Sequence, residues 1–210
     1  EATRSLIENH DCDVVVSDDG LQHYALGRDI EIAVIDGERG LGNELCFPAG
    51  PLREPVSRLK EVDLVVVNGD RSRVSHLSSG PCMEMQLNPT RLVNIKTGSV
   101  ETLESVKGKT VHAVVGISNP ERFFSTLKKL GCTLVPHQYP DHHPFTAADI
   151  NFDDELPVIM TEKDAVKLDP LTLDDGCDQF WYLEVEATFT SSELDRLLQR
   201  LELSPVQSGA

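Results

Sequence analysis

The sequence predicts an α/β protein in two parts, each built on a parallel sheet, and three observations predict it. Short β-branched runs recur, each followed by a loop and then a helical pattern, which is the signature of parallel α/β units. The runs are near-continuously apolar, as strands covered on both faces should be. The pattern breaks once, between Met83 and Thr97, and restarts after Gly108. This interruption divides the chain into a first α/β part at residues 1–80, a linker at 81–107 and a second α/β domain at 108–210.

In order, a helix-like segment opens the chain at Glu1, followed by expected strands at Asp13 to Val16, Ile30 to Ile35 and Leu64 to Val67. MEMQL and LVNIK then alternate as two short strands, and Asn88-Pro89-Thr90 between them suits a turn, so the linker reads as a two-stranded hairpin. The second part starts with a strand at Val111 to Val115. A helix over Pro120 to Leu130 follows, with Pro120 in its first turn, Phe123, Phe124 and Leu127 on one face, and Gly131 at the C′ position. Strands at Thr133 to His137, Val158 to Met160 and Trp181 to Val185 alternate with a helix from about Glu162. A final helix spans about Ser192 to Leu203.

At 210 residues with 40% hydrophobic side chains the chain is long enough to bury a sizeable core. Thirty-five acidic against nineteen basic residues give a formal charge of −16, which repels nucleic-acid phosphates and disfavours a nucleic-acid partner. A lipid surface is less strongly disfavoured, because a local basic or apolar patch acts within a Debye length of ~8 Å. The five cysteines are widely spaced, with no CxxC pair to suggest zinc or a redox dithiol, and read as reduced packing residues. No stretch approaches the ~20 apolar residues that span a bilayer. The chain opens without Met at Glu1, which reads as a truncated or processed start.

The first motif with chemical content is Val14-Val15-Val16-Ser17-Asp18-Asp19-Gly20, two carboxylates beyond an apolar run. Open α/β sheets place ligand chemistry at strand C-termini, and a hard cation such as magnesium prefers carboxylate oxygens. The same residues also read as a plain Asp-Gly turn. Glu54 lies in Pro48-Ala49-Gly50-Pro51-Leu52-Arg53-Glu54-Pro55, a loop stiffened by prolines, where an Arg-Glu pair forms either a phosphate or metal-site wall or a surface ion pair. Asp141-His142-His143 follows the strand ending near His137; a histidine there serves as general base or as a surface turn. Adjacent side chains in an extended segment diverge, so at most one of the two histidines faces a site. Thr161-Glu162-Lys163-Asp164 opens a helix with Thr161 as N-cap, and Asp164 reads as capping partner or ligand. Gly108-Lys109-Thr110 imitates the end of a phosphate loop, but it lacks the first glycine, with Leu103 in that place, and it precedes a strand.

SDDGLQHYALGRDIEIAVIDGERGLGN, PAGPLREP, RLKEVDLVVVNG, GISNPERFFSTLKKLG, PDHHPF and MTEKDAVK, in this order, closely resemble the tetraacyldisaccharide 4'-kinase (lipid A 4'-kinase) family over nearly the whole chain. The resemblance implies an ATP-dependent kinase that phosphorylates the 4'-hydroxyl of tetraacyldisaccharide 1-phosphate, with ATP as co-substrate and Mg2+ as cofactor. It implies a peripheral place on the cytoplasmic face of the inner membrane of Gram-negative bacteria. The implied fold is a phosphate-loop domain joined by a two-stranded linker to a smaller α/β domain. By the same resemblance Asp18 and Asp19 are associated with the metal, Glu54 is the active-site glutamate, and His142 pairs with an aspartate to activate the sugar hydroxyl. The family's phosphate loop, membrane-associating helix and partner aspartate are expected upstream of Glu1, so no cofactor-binding loop is assigned here and the chain alone is expected to be inactive. A metal-dependent phosphoesterase using Asp18, Asp19, Asp141 and His142, or a non-catalytic α/β binding module, remain alternatives.

Overall fold

The structure, a computed structural model, describes residues 2–10, 12, 14–74, 80–170, 173, 178–189 and 195. The chain divides into two compact units, one of residues up to Gln86 and from Thr188 onward, the other of Leu87–Ala187.

In the first unit, helix α1 (Ala2–His10) is followed by strands β1 (Ile32–Asp36) and β2 (Leu64–Asn68) and by the start of β3 (Cys82–Asn94). The three are parallel, with Ile32 opposite Leu64 and Val65 opposite Cys82. All four apolar residues of β2 are buried because the strand is covered on both faces. Ala33, Ile35, Val65, Val67 and Val74 pack one face, and Leu64, Val66 and Met83 the other. β1 departs from the expectation of two covered faces: Ala33 and Ile35 are buried, whereas Val34 is 65% exposed.

The expected strand at residues 13–16 is not formed at residues 14–16, Asp13 lying outside the described residues, and Val16 is 89% exposed. A β-branched run becomes a strand only where a neighbour accepts its ladder bonds, and no described strand pairs with it.

The expected hairpin of MEMQL and LVNIK is also replaced, because MEMQL and the first three residues of LVNIK, Leu92 to Asn94, belong to the single strand β3, while Ile95 and Lys96 lie in the turn that follows. Asn88-Pro89-Thr90 passes straight through, since the β2 pairing ends at Met85 and leaves no β2 partner opposite the missing N–H of Pro89. β3 instead lies beside β8 (Phe180–Phe189). Gln86, Thr90 and Ile95 meet Thr188, Glu184 and Phe180 in turn, so the two strands run antiparallel. The actual hairpin comes later, between β3 and β4 (Val100–Glu101). Gly98 adopts φ +69° there, and Asn94 Oδ1 accepts the amides of Lys96 and Thr97.

In the second unit β5 (Thr110–Val115), β6 (Thr133–Gln138) and β7 (Val158–Thr161) are parallel, with β5 central between β6 and β7, and β7 parallel to β8. Helix α2 (Pro120–Lys129) begins with Pro120 and buries Phe123, Phe124 and Leu127. It ends in a Schellman motif, in which Cys132 N donates to Leu127 O, Gly131 N donates to Lys128 O, and Gly131 takes φ +89°. Its apolar face joins Val111, Ala113, Val115 and Ile159 in one core, while Val114, Phe145, Ile150, Val158 and Met160 form the core on the other face. Short helices α3 (Ala147–Ile150) and α4 (Glu162–Ala165) follow β6 and β7. Gly108-Lys109-Thr110 leads directly into β5, as expected of a loop without phosphate-binding geometry. The expected final helix, apart from Asp195, and Cys177 lie outside the described residues.

Candidate active site

In the first unit the segment after Val16 is a series of tight turns, with His23 N bonded to Gly20 O and Leu26 N to His23 O. Asp18 and Asp19 occupy the first turn, both exposed, and Asp19 adopts φ +50°. They follow residues 14–17, which form no paired strand.

The loop carrying Arg53 and Glu54 is fixed by its own backbone. Phe47 N donates to Leu52 O, Leu52 N to Leu45 O, and Asn43 Nδ2 to Ala49 O. A side chain at Gly50 would collide with Asn43 Oδ1 and Leu45 O, so only glycine lets the loop close. Glu54 leads into a 3-10 helix at Val56–Lys60, and this brings Arg58 back towards it.

Asp19 and Glu54, 35 positions apart in sequence, are thereby gathered into one cluster. Arg53 Nη1 lies 3.2 Å from Asp19 Oδ2 and 3.3 Å from Gln22 Oε1. Tyr24 Oη donates to Glu54 Oε2 at 2.6 Å, and this bond, more than any other influence, raises the tyrosine pKa and keeps its proton in place. Arg58 Nε stands 3.4 Å from the same oxygen. Arg58 also pairs with Glu31 at 2.7 Å; Arg28 pairs with Glu31 at 2.8 Å and donates to Gly20 O and Leu21 O. Arg53 was visible in the sequence as half of an Arg-Glu pair. Tyr24, Arg28, Glu31 and Arg58 were not, and the spacings Arg28 to Glu31 and Glu54 to Arg58 are the local signal that could have found two of these contacts.

His142 lies in the second unit, beyond the C-terminal end of β6, where the ends of β5 and β7 also arrive. Its backbone has φ +62°, and its amide donates to Asp141 Oδ1 at 3.0 Å and to Gly116 O at 3.3 Å. Its ring is 77% exposed, 3.9 Å from the Asp141 carboxylate. His143 points the other way, stacking on Tyr139 and meeting Phe145 edge-on. Gly116 permits this close approach, since an added Cβ would stand 2.8 Å from the Phe145 ring. Asp164 is fully buried and accepts from Gly116 N, Thr161 Oγ1 and Lys167 Nζ, which is a structural arrangement.

Among the described residues no group of three or more His, Cys, Asp and Glu side chains stands ready to hold a metal ion. The exposed Asp18 and Asp19 carboxylates fit magnesium, which commonly takes one or two protein carboxylates and completes its shell with waters and substrate phosphates.

Parallel strands that present polar side chains beyond their C-terminal ends define a ligand-handling α/β protein of the open-sheet class. The particular kind is set by sequence: the family model for Tetraacyldisaccharide-1-P 4'-kinase matches residues 1–202, and the chain belongs to that family. It is 47% identical over 201 residues to the tetraacyldisaccharide 4'-kinase of Hahella chejuensis, covering 96% of this chain and 57% of that protein. It is 46% identical to the enzyme of the same name from Nitrosococcus oceani, covering 96% and 56%. The corresponding protein of Legionella pneumophila strain Lens is 49% identical, with 91% and 55% covered. The chain therefore spans a little over half the length of these relatives. Its fold matches a crystal structure of LpxK from Aquifex aeolicus in complex with ATP, with a TM-score of 0.66 and 24% identity, over 87% of this chain and 55% of that one.

Proposed function

We propose that this chain contributes to an ATP-dependent lipid kinase that transfers the γ-phosphoryl group of ATP to the 4'-hydroxyl of tetraacyldisaccharide 1-phosphate in lipid A synthesis. The observation that carries this reading is the cluster that joins Arg53 and Glu54, on a fixed loop, to Asp19 and Tyr24 of the turn-rich segment, in a chain close to half identical to kinases of that name. Asp18 and Asp19 hold Mg2+ in this reading, and the bound ion supplies charge neutralisation for the phosphates. Arg53, beside Asp19, faces the same anionic groups. His142 accepts the proton of the attacking hydroxyl with help from an aspartate elsewhere in the full-length enzyme. The new bond joins the sugar oxygen to the γ-phosphorus, the bond to the bridging β,γ-oxygen breaks, and ADP leaves. The chain spans a little over half the length of its curated relatives, and this reading assigns phosphate binding to the part of their length that it does not span, so transfer is expected of the longer protein. The full-length protein works as a peripheral enzyme at the cytoplasmic face of the inner membrane. No helix among the described residues is long and apolar enough to cross a membrane.

The test is phosphoryl transfer from labelled ATP to tetraacyldisaccharide 1-phosphate, measured for the chain alone and for a full-length protein carrying it. Transfer by the full-length protein alone is the expected result. No transfer in either form overturns the reading, and ATP-independent hydrolysis of a phosphate ester would point to a phosphoesterase.

A further inference from the structure

Four charged side chains in the first unit are far less exposed than surface ion pairs usually are. Arg58, Glu31, Arg28 and Glu54 retain only 14%, 16%, 17% and 20% of their side-chain exposure, while the neighbouring Arg53 and Asp19 retain 68% and 79%. Partly buried charges are tolerated only when each is matched, and these alternate in sign along a continuous line. The line begins at the Asp18-Asp19 turn, where Arg28 grips Gly20 O and Leu21 O. It runs through Glu31 and Arg58 to Glu54, and Tyr24 closes it from the same turn-rich segment. Both contacts on Glu54 use Oε2; Oε1 makes none with the described residues.

We propose that Arg58 and Tyr24 are positioning residues that hold Glu54 by one carboxylate oxygen and aim the other at the reaction, with Glu31 and Arg28 locking this grip to the Asp18-Asp19 turn. The inference rests on the kinase-site reading above. Two carboxylate sites on separate loops must keep a fixed separation for a metal-bound triphosphate to meet both, and a displacement of about 1 Å can cost ~10²-fold in rate. A partly buried ionic strut between the loops supplies that rigidity, whereas the exposed Asp19–Arg53 pair is free to exchange partners when ligand arrives.

The experiment uses a full-length protein carrying this sequence, assayed with Mg-ATP and tetraacyldisaccharide 1-phosphate. Arg58→Gln should lower kcat by ~10- to 100-fold with KM for the lipid within about twofold, and Arg58→Lys should recover part of the loss. Tyr24→Phe, at an exposed position where folding is not at stake, should lower kcat about three- to tenfold. In a Glu54→Gln background Arg58→Gln should add less than about twofold, because the group it positions is already gone. Wild-type kcat in both Arg58→Gln and Tyr24→Phe overturns the inference. So does an equal loss from Arg58→Gln in both backgrounds, which marks a purely structural residue. If Arg58→Gln does not fold, the Tyr24→Phe result decides. Wild-type turnover in Glu54→Gln overturns the site reading itself, and the inference with it.

Discussion

His143 Nε2 stands 3.4 Å from Asp149 Oδ2, while the ring of its neighbour His142 projects outward. The divergence comes from φ +62° at His142, which turns the chain between the two side chains. Asp149 is committed locally, accepting from the Thr146 amide and hydroxyl as the return half of a capping box on α3. Burial raises its pKa, but the Thr146 hydrogen bonds and the nearby His143 outweigh this, and the carboxyl is held below its usual value. His143 is thus a packing residue, and His142 is the one available to a substrate.

Substituting the two histidines should therefore separate chemistry from stability. In the full-length enzyme His142→Ala should lower kcat by ~10²- to 10⁴-fold, with a much smaller change in KM for ATP. His143→Ala should leave kcat within a few fold and destabilise by about 1–2 kcal/mol through lost ring packing. Steady-state kinetics with thermal melts of both variants check this. Equal kinetic losses would mark the segment as a structural turn.

A second prediction concerns pH. His112 Nδ1 lies 2.8 Å from His137 Nε2, His112 Nε2 lies 3.1 Å from the Asp154 carboxylate, and Phe152 stacks on both imidazoles. The 2.8 Å contact accommodates one proton between the rings, not two. Burial, and then the charge of His112, lowers the pKa of His137. The unfolded chain consequently takes up a proton near pH 6.5 while the folded chain resists it. The contribution is present above about pH 6.5 and is lost as pH falls towards the depressed folded value. Asp154, held low first by the Leu156 amide and then by His112, adds its own loss only at about pH 4 and below. Urea midpoints from pH 8 to 5 should fall for wild type and fall less for His137→Asn. Parallel curves would contradict the assignment.

The sequence showed a strand wherever burial alone defined it. β2 and β5 read directly because nearly every residue in them is buried, but Val14 to Val16 carried the same composition without a strand to pair with. The mistaken hairpin has a similar origin: Asn88-Pro89-Thr90 has turn composition, and only the end of the β2 pairing and the presence of β8 reveal a continuous strand. At the candidate site, motif order pointed to Asp18, Asp19, Glu54 and His142, and the fold brings Asp19 and Glu54 into one network through Arg53, Tyr24 and Arg58. Tyr24 with Glu54 and Arg58 with Glu31 were hidden because each pair is joined by the fold across about 30 residues of sequence. His112 and His137 meet only because β5 and β6 align in parallel, with Val114 opposite His137.

Arg53→Ala should alter function and leave stability almost unchanged. The Asp19–Arg53 pair is well exposed on both sides, and such pairs contribute ~0–1 kcal/mol. In the proposed kinase reading its value lies in a positive charge beside the turn assigned to Mg2+, where preorganised charge would stabilise a transferring phosphoryl group. The expected outcome is a melting temperature within about 2 °C of wild type and a loss of tenfold or more in kcat/KM. A large drop in melting temperature with unchanged kinetics would assign Arg53 to structure.

Asp164→Ala should be the costliest of these substitutions for folding. Asp164 is fully buried at the start of α4, and its carboxylate joins three separate parts of the second unit. Oδ2 accepts from Gly116 N at 2.9 Å, just beyond β5, and from Thr161 Oγ1 at 2.8 Å, at the end of β7. Oδ1 accepts from Lys167 Nζ at 2.8 Å, one turn further along. Alanine would leave a buried amide and a largely covered ammonium without their acceptor, at a cost of about 3–5 kcal/mol. Asparagine keeps one acceptor oxygen for Gly116 but not the charge for Lys167, so Asp164→Asn should lose about half as much. Gly116 also accepts from the amide of His142, so loosening it should shift the histidine segment before the unit unfolds. Amide exchange should therefore accelerate first at residues 140–145 in Asp164→Asn. Uniform acceleration across the second unit would show instead that Asp164 supports the core as a whole and has no specific hold on the histidine segment.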